Sequence, residues 1–226
     1  GGNLKYFIVG GAALAEDVER FLREANFPIA VGYGLTETSP LVAGSTEEYA
    51  KPYTIGPAVT GVGIRIDSPN QEEEPGEVMV KGPNVMQGYY KNEEATAEAL
   101  TEDGWFHTGD LGTLDGDGYL KLRGRLKNLI LGPSGENIYP ESIEAVLNEY
   151  QFVNDAVVFE QEGRLFAKVH LDYDALRENV QEWAESAIDR SKDVYKIAGD
   201  YLSNLRKSAN RRLNAFSRLH TIFEQK

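Results

Sequence analysis

Cysteine is absent from the 226-residue sequence. That rules out disulfides, cysteine-ligated zinc, iron–sulfur clusters and a thiol nucleophile, and it fits a reduced, cytoplasmic setting. Histidine is scarce too: His107, His170 and His220 are the only three and fall on different predicted elements, so packing or surface roles are expected for them rather than a metal site. No apolar run approaches the roughly 20 residues of a membrane span. Basic charge is the minority, 23 Lys+Arg against 36 Asp+Glu, and the net charge of −13 repels phosphate polyanions and excludes a broad nucleic-acid footprint. The chain opens Gly1-Gly2-Asn3, with no methionine and no basic-then-apolar leader. The expectation is a piece of a longer protein without a signal peptide.

What is present suggests one large domain or two modest ones. Residues 175–226 carry ten basic and seven acidic residues, leaving 13 and 29 to the first 174, so composition changes near that point. Tyr6 to Val9, a Gly10-Gly11 break, a helical period through Val18, Phe21, Leu22 and Ala25, and Ile29 to Tyr33 spell strand, helix, strand, the remnant of a partly parallel sheet. From Pro52 to Gly124 short β-rich runs (Gly63 to Asp67, Gly76 to Lys81, Trp105 to Leu114, Tyr119 to Arg123) predict a small antiparallel sheet or barrel, with Asp115-Gly116-Asp117-Gly118 as a hairpin turn. Pro140 opens a helix with Ile143, Val146, Leu147 and Tyr150 on one face. Strands at Ala156 to Phe159 and Leu165 to Leu171 follow. Helical spacing then runs through Leu176, Val180, Trp183 and Ala187 and resumes from Val194 to Phe216. The fold class is therefore α/β plus α+β: a parallel-sheet remnant and a β-rich subdomain in residues 1–125, and a smaller α+β domain with an extended helical end in 126–226.

Several segments can carry chemistry. Gly32-Tyr33-Gly34-Leu35-Thr36-Glu37-Thr38 sits at the C-terminal end of a predicted parallel strand, where open α/β sheets bind ligands. Its glycines admit a flat ring close to the backbone, Tyr33 offers a stacking face, Thr36 can donate to a phosphate and Glu37 can hold Mg²⁺ through oxygen. The same residues also read as a glycine-rich turn with a buried tyrosine. Gly10-Gly11-Ala12 is a tight turn of weak specificity. If Leu114 pairs with Tyr119, Asp110 lies opposite Arg123 and near Arg125, which suits a ribose diol but equally an ordinary surface ion pair. Arg206, Lys207, Arg211, Arg212 and Arg218 form either a phosphate or lipid-headgroup patch, allowing peripheral membrane contact, or one solvated helix face.

The order Gly10-Gly11-Ala12, Tyr33-Gly34-Leu35-Thr36-Glu37-Thr38, Val85-Met86-Gln87-Gly88-Tyr89-Tyr90, Gly104-Trp105-Phe106-His107-Thr108-Gly109-Asp110, Gly124-Arg125 and Gly135-Glu136-Asn137-Ile138-Tyr139-Pro140 resembles the acyl-adenylate-forming (AMP-binding) superfamily. Within it, the Leu129 to Pro140 stretch is most similar to bacterial long-chain fatty-acid–CoA ligases. The resemblance implies an acid–thiol ligase that adenylates a fatty acid with ATP and then transfers the acyl group to coenzyme A; an aryl-acid ligase, a carrier-protein loading domain or a noncatalytic nucleotide-binding module are the alternatives. It implies Gly10, Gly11 and Ala12 around the adenine and acyl carboxylate, Tyr33 and Gly34 at the adenine, and Thr36 at the ATP/AMP phosphate. It further implies Glu37 on Mg²⁺, Asp110 and Arg125 on the ribose, and Lys127 as a hinge. The superfamily's Ser/Thr/Gly-rich phosphate loop and its closing lysine motif do not occur in these 226 residues, so the piece is expected to be inactive alone.

Overall fold

The computed structural model describes residues 3–11, 14–176, 178 and 194–225. The chain divides into two compact units, Gly1–Lys127 and Asn128–Lys226.

The first unit begins with β1 (Phe7–Val9), α1 (Glu16–Glu24) and β2 (Ile29–Gly34), with β1 and β2 parallel and β3 (Leu41–Ser45) antiparallel to β2. The apolar period of α1 predicts burial of Val18 and Phe21, but both are exposed in the structure and the buried residue of the helix is Glu19. Its carboxylate accepts from the Tyr53 backbone N–H at 3.2 Å and from Arg23 Nε at 2.7 Å, and these partners make burial of the charge tolerable. A four-stranded antiparallel sheet follows, in the order β4 (Gly63–Asp67), β5 (Gly76–Lys81), β6 (Phe106–Leu114), β7 (Leu120–Arg125), with α2 (Glu93–Ala99) inserted before β6. The two sheets are joined by residues 55–59: the Gly44 N–H donates to the Pro57 carbonyl and the Val59 N–H to the Val42 carbonyl of β3, while Ile55 and Gly56 bond Leu120 of β7. Between them lies a core of Tyr33, Val42, Ala43, Ile66, Val78, Val80 and Leu120, with Leu114 and Leu122 packed against it.

The register of β6 and β7 differs from the simple hairpin expectation. Leu114 faces Leu120, not Tyr119, and Asp110 faces Arg125, not Arg123. Arg123 is the extra residue of a bulge, because Leu111 pairs with Gly124 while Gly112 pairs with Leu122. In a two-residue alternation one inserted residue transfers every later side chain to the other face. The bulge thus places Arg125 on the same face as Asp110, Leu120 and Leu122.

In the second unit a short ribbon of β8 (Ile130–Leu131) and β9 (Asn137–Ile138) leads into α3 (Pro140–Asn148), which carries Pro140 in its first turn, where no N–H is required. Strands β10 (Val153–Gln161) and β11 (Arg164–Leu171) are antiparallel. Helix α4 (Val194–Arg212) follows the segment on which Val180, Trp183 and Ala187 fall, outside the described residues. The helical reading stops at Arg212: Leu219–Glu224 form β12, parallel to β11, with Asn210 of the helix bonding both the N–H and the C=O of Leu219. The core joins Ile143 and Leu147 of α3, Ala167, Val169 and Leu171 of β11, and Leu205 and Ala209 of α4. The basic residues of this end are not one free face, since Arg206 donates to the His220 carbonyl and Arg212 to Glu149. No helix among the described residues is long and apolar enough to cross a membrane.

Candidate functional site

The loop after β2 is built from close approaches that only small residues permit. At Gly34 a Cβ would lie 1.7 Å from the Pro40 carbonyl oxygen, so the chain can double back across this point only without a side chain. Thr36–Thr38 form a single 3₁₀ turn. The fully buried Thr38 hydroxyl accepts from the Leu35 N–H at 3.0 Å and lies 2.7 Å from the Pro40 carbonyl, stapling the loop shut. Asn84 Nδ2 donates to the carbonyls of Thr38 and Leu41, both at 2.9 Å, and Met86 N–H donates to the Glu37 carbonyl. Thr36 is left exposed and Glu37 half-buried, with the Tyr89 hydroxyl donating to Glu37 Oε1 at 3.0 Å. Burial and that bond push the Tyr89 phenol above its ordinary pKa, so it remains a donor.

Asp110 is the centre of the arrangement. It is 7% exposed; its Oδ2 accepts the Tyr33 hydroxyl at 2.6 Å and its Oδ1 accepts Arg125 Nη1 at 2.8 Å. Burial first, and then the adjacent Asp110 charge, hold the Tyr33 phenol far above its usual pKa; it is a proton donor throughout the working range. Each carboxylate oxygen has two lone pairs, and one protein donor on each leaves acceptor capacity for hydroxyl groups, so the residues present fit a vicinal diol.

Asp110 reaches this position through a second, larger bulge. Met79 pairs with His107 and Glu77 with Leu111, so Thr108, Gly109 and Asp110 together stand opposite Val78. Thr108 Oγ1 donates to the Val78 carbonyl at 2.7 Å and accepts from the Asp110 N–H at 3.0 Å. Gly109 takes φ +69°, a left-handed conformation, and donates its N–H to Glu77 Oε1 at 2.9 Å; Glu77 Oε2 lies 2.8 Å from His107 Nδ1.

The structure therefore brings Tyr33, Asp110 and Arg125 into one hydrogen-bonded group. Gly10 lies beside β2, where a Cβ would be 3.2 Å from the Gly32 carbonyl, and Gly11 has φ +84°. Ala12 lies outside the described residues. Lys127 is exposed, in the 3₁₀ turn Leu126–Asn128 at the end of the first unit. Among the described residues no group of three or more His, Cys, Asp or Glu could form a metal cage. A lone carboxylate such as Glu37 suits Mg²⁺, which takes one or two protein oxygens and completes its shell with phosphate and water. The roles of Glu77, Thr38, Asn84 and Tyr89 were not read from sequence, although Thr38 and Tyr89 lie within the motifs that carry the resemblance. Glu77, Asn84 and Tyr89 bond partners 30 or more residues away, Thr38 bonds backbone within its own loop, and only the Gly-Glu preceding the Val-Met-Val run of β5 marks Glu77 at all.

A parallel strand pair ending in a glycine-bracketed loop, beside a β-sheet that presents a buried carboxylate, is the fold and site of the AMP-binding class. Residues 1–90 match the AMP-binding enzyme family, and the chain belongs to that acyl-adenylate-forming family. It is 42% identical over 158 residues to the long-chain-fatty-acid–CoA ligase FadD15 of Mycobacterium bovis, covering 70% of this chain and 25% of the relative. It is 38% identical over 157 residues to a 2-succinylbenzoate–CoA ligase of Staphylococcus aureus, covering 69% and 31%. Among solved structures, the o-succinylbenzoate coenzyme A synthetase of Bacillus subtilis in complex with AMP superposes with a TM-score of 0.77 at 28% identity, over 98% of this chain and 42% of that one. The same enzyme has also been solved with ATP and magnesium. The chain spans about a quarter to a third of the length of these curated relatives.

Proposed function

We propose that this chain carries the ribose-binding part of the nucleotide site and the C-terminal unit of an AMP-forming acid–thiol ligase acting on long-chain fatty acids. The observation that carries the reading is Asp110, held on opposite oxygens by Tyr33 and Arg125 and retaining acceptor capacity for a ribose diol. In the reaction the acid's carboxylate attacks the α-phosphorus of ATP and releases pyrophosphate; the coenzyme A thiol then attacks the acyl adenylate. Asp110 and Arg125 orient the ribose, Tyr33 packs against adenine while holding Asp110, Gly10, Gly11, Ala12 and Gly34 keep the backbone close to the ring and the acyl carboxylate, and Thr36 donates to phosphate. Glu37 would hold Mg²⁺, which supplies charge neutralisation on the phosphates. Lys127, at the end of the first unit, is the hinge. The 42% identity to a long-chain ligase supports fatty acids as substrates. The 2-succinylbenzoate relative supports an aromatic acid as the second reading.

Titration calorimetry of AMP against this chain and its Asp110→Ala variant tests the site: weak binding, on the order of high-micromolar to millimolar, is expected for the native chain and none for the variant. Equal heats from both would remove Asp110 from it. ATP–pyrophosphate exchange with palmitate and with 2-succinylbenzoate, in a chain extended to its relatives' length, separates the two acids. The 226 residues alone, with no Ser/Thr/Gly-rich phosphate loop to answer transition-state charge, are expected to exchange slowly.

A further inference from the structure

The Thr108-Gly109-Asp110 bulge raises the question of what fixes it. Two extra residues inserted in β6 could settle in several conformations, and Gly109, in the left-handed region, is the least constrained residue of the three. By strand alternation Glu77 pairs with Leu111 on the face away from Asp110, and from there its carboxylate reaches both flanks of Thr108: Oε1 takes the Gly109 N–H at 2.9 Å, Oε2 sits 2.8 Å from His107 Nδ1. The Glu77 side chain is only 13% exposed, so water is a poor substitute for either contact. Thr108 supplies only neutral bonds, its hydroxyl donating to the Val78 carbonyl and accepting from the Asp110 N–H; the charge-assisted bond to Gly109 is the stronger constraint.

We propose that Glu77 is a positioning residue for nucleotide binding: by gripping Gly109 N–H and the His107 ring from behind the sheet, it fixes the bulge that aims the Asp110 carboxylate at the ribose. The proposal rests on the nucleotide reading above, but its structural half can be tested apart from it.

Amide hydrogen exchange measured by NMR on this chain reads the bulge directly. Glu77→Ala is expected to accelerate exchange at Gly109 and Asp110 by about 10- to 100-fold, the range for losing a hydrogen bond to a charged group, and to leave the β4–β5 ladder unchanged. Glu77→Gln, whose amide oxygen can still accept from Gly109, should restore most of the protection. AMP titrations should show Glu77→Ala weakening binding and Glu77→Gln restoring most of it. Unchanged exchange at Gly109, acceleration spread over the whole sheet, or unchanged AMP affinity of Glu77→Ala in a chain that binds AMP would each overturn the proposal. If Glu77→Ala does not fold, His107→Ala, which releases one of the carboxylate's two contacts, should give a smaller rise at the same amides, and no rise would overturn it. Local acceleration in a chain that binds no AMP would support the positioning of Asp110 and count against the nucleotide reading alone.

Discussion

The Tyr33 hydroxyl donates to the Asp110 carboxylate across 77 residues of sequence, at 2.6 Å and in a buried setting. It ties the parallel strand pair to the antiparallel sheet at the residue on which the proposed ribose contact depends. The partner on the other oxygen, Arg125, is 45% exposed in its side chain, so the two bonds to Asp110 are not equivalent.

Tyr33→Phe removes a buried donor from a charged acceptor and is expected to cost about 1.5–3 kcal/mol. Arg125→Ala breaks a pair whose cation water can reach, and should cost about 1 kcal/mol or less. Urea unfolding of both variants checks the order. A larger loss for Arg125→Ala would show that the guanidinium, not the phenol, stabilises the buried carboxylate.

Gly34→Ala has no local remedy, because the atom it would strike is the backbone oxygen of Pro40 at 1.7 Å and not the end of a flexible side chain. The loop must open, with loss of the Thr38 staple, at about 3 kcal/mol or more. Soluble protein with wild-type unfolding and unchanged amide shifts from Leu35 to Leu41 would contradict this.

Lys127→Pro tests the hinge in a chain extended to its relatives' length. Fixing φ near −65° should restrain one arrangement and affect adenylation and thioester formation unequally, sparing the first. Equal loss in both half-reactions at unchanged circular dichroism would assign Lys127 a structural role.

A pH effect is expected in the second unit. Burial, followed by the nearby charges of Glu141 and Asp155, raises the pKa of Glu144, although the Val158 N–H donates to it at 2.7 Å. The folded state therefore binds more protons than the unfolded state in this window. The contribution of Glu144 favours folding below the ordinary glutamate pKa and is lost as pH rises through its raised value. Glu144→Gln, which can still accept from Val158, should stabilise the unit at pH 7 by up to about 1 kcal/mol, a gain that disappears below about pH 4. Thermal melts at the two pH values decide it; an equal gain at both would exclude ionisation as the cause.

Where local pattern decides structure, the sequence was readable. Strands β4 and β5 fall on the expected residues because an alternating Ile64/Ile66 pattern and a short apolar Val78–Val80 run each lie between turn signals, and Pro140 marks the start of α3. Strand β3, Leu-Val-Ala-Gly-Ser, is too small and mixed to stand out, and β12 has adjacent Ile222 and Phe223 in place of alternation. The burial of Glu19 depends on Tyr53, 34 residues away, and the Tyr33–Asp110 bond on a core that packs two sheets together. Thr36, Glu37, Asp110 and Arg125 were visible as residue types. The facing of Asp110 to Arg125 was not, because the turn is one residue longer than a Leu114–Tyr119 pair implies and the bulge at Arg123 adds a second that no hairpin count anticipates.

The two bulges also set different rules for changes of chain length. Strand β6 carries two surplus residues against β5, an even number, so the inward and outward sides of the ribbon stay in phase through it. Strand β7 carries one, an odd number, and the phase reverses. Deleting Arg123 would remove the surplus and leave Arg125 opposite Asp110 in an uninterrupted ladder, whereas deleting one residue between His107 and Leu111 would put the strand out of phase with its neighbour on β5. In this ribbon the parity of the surplus that remains, not the size of the change, decides whether the faces stay in phase.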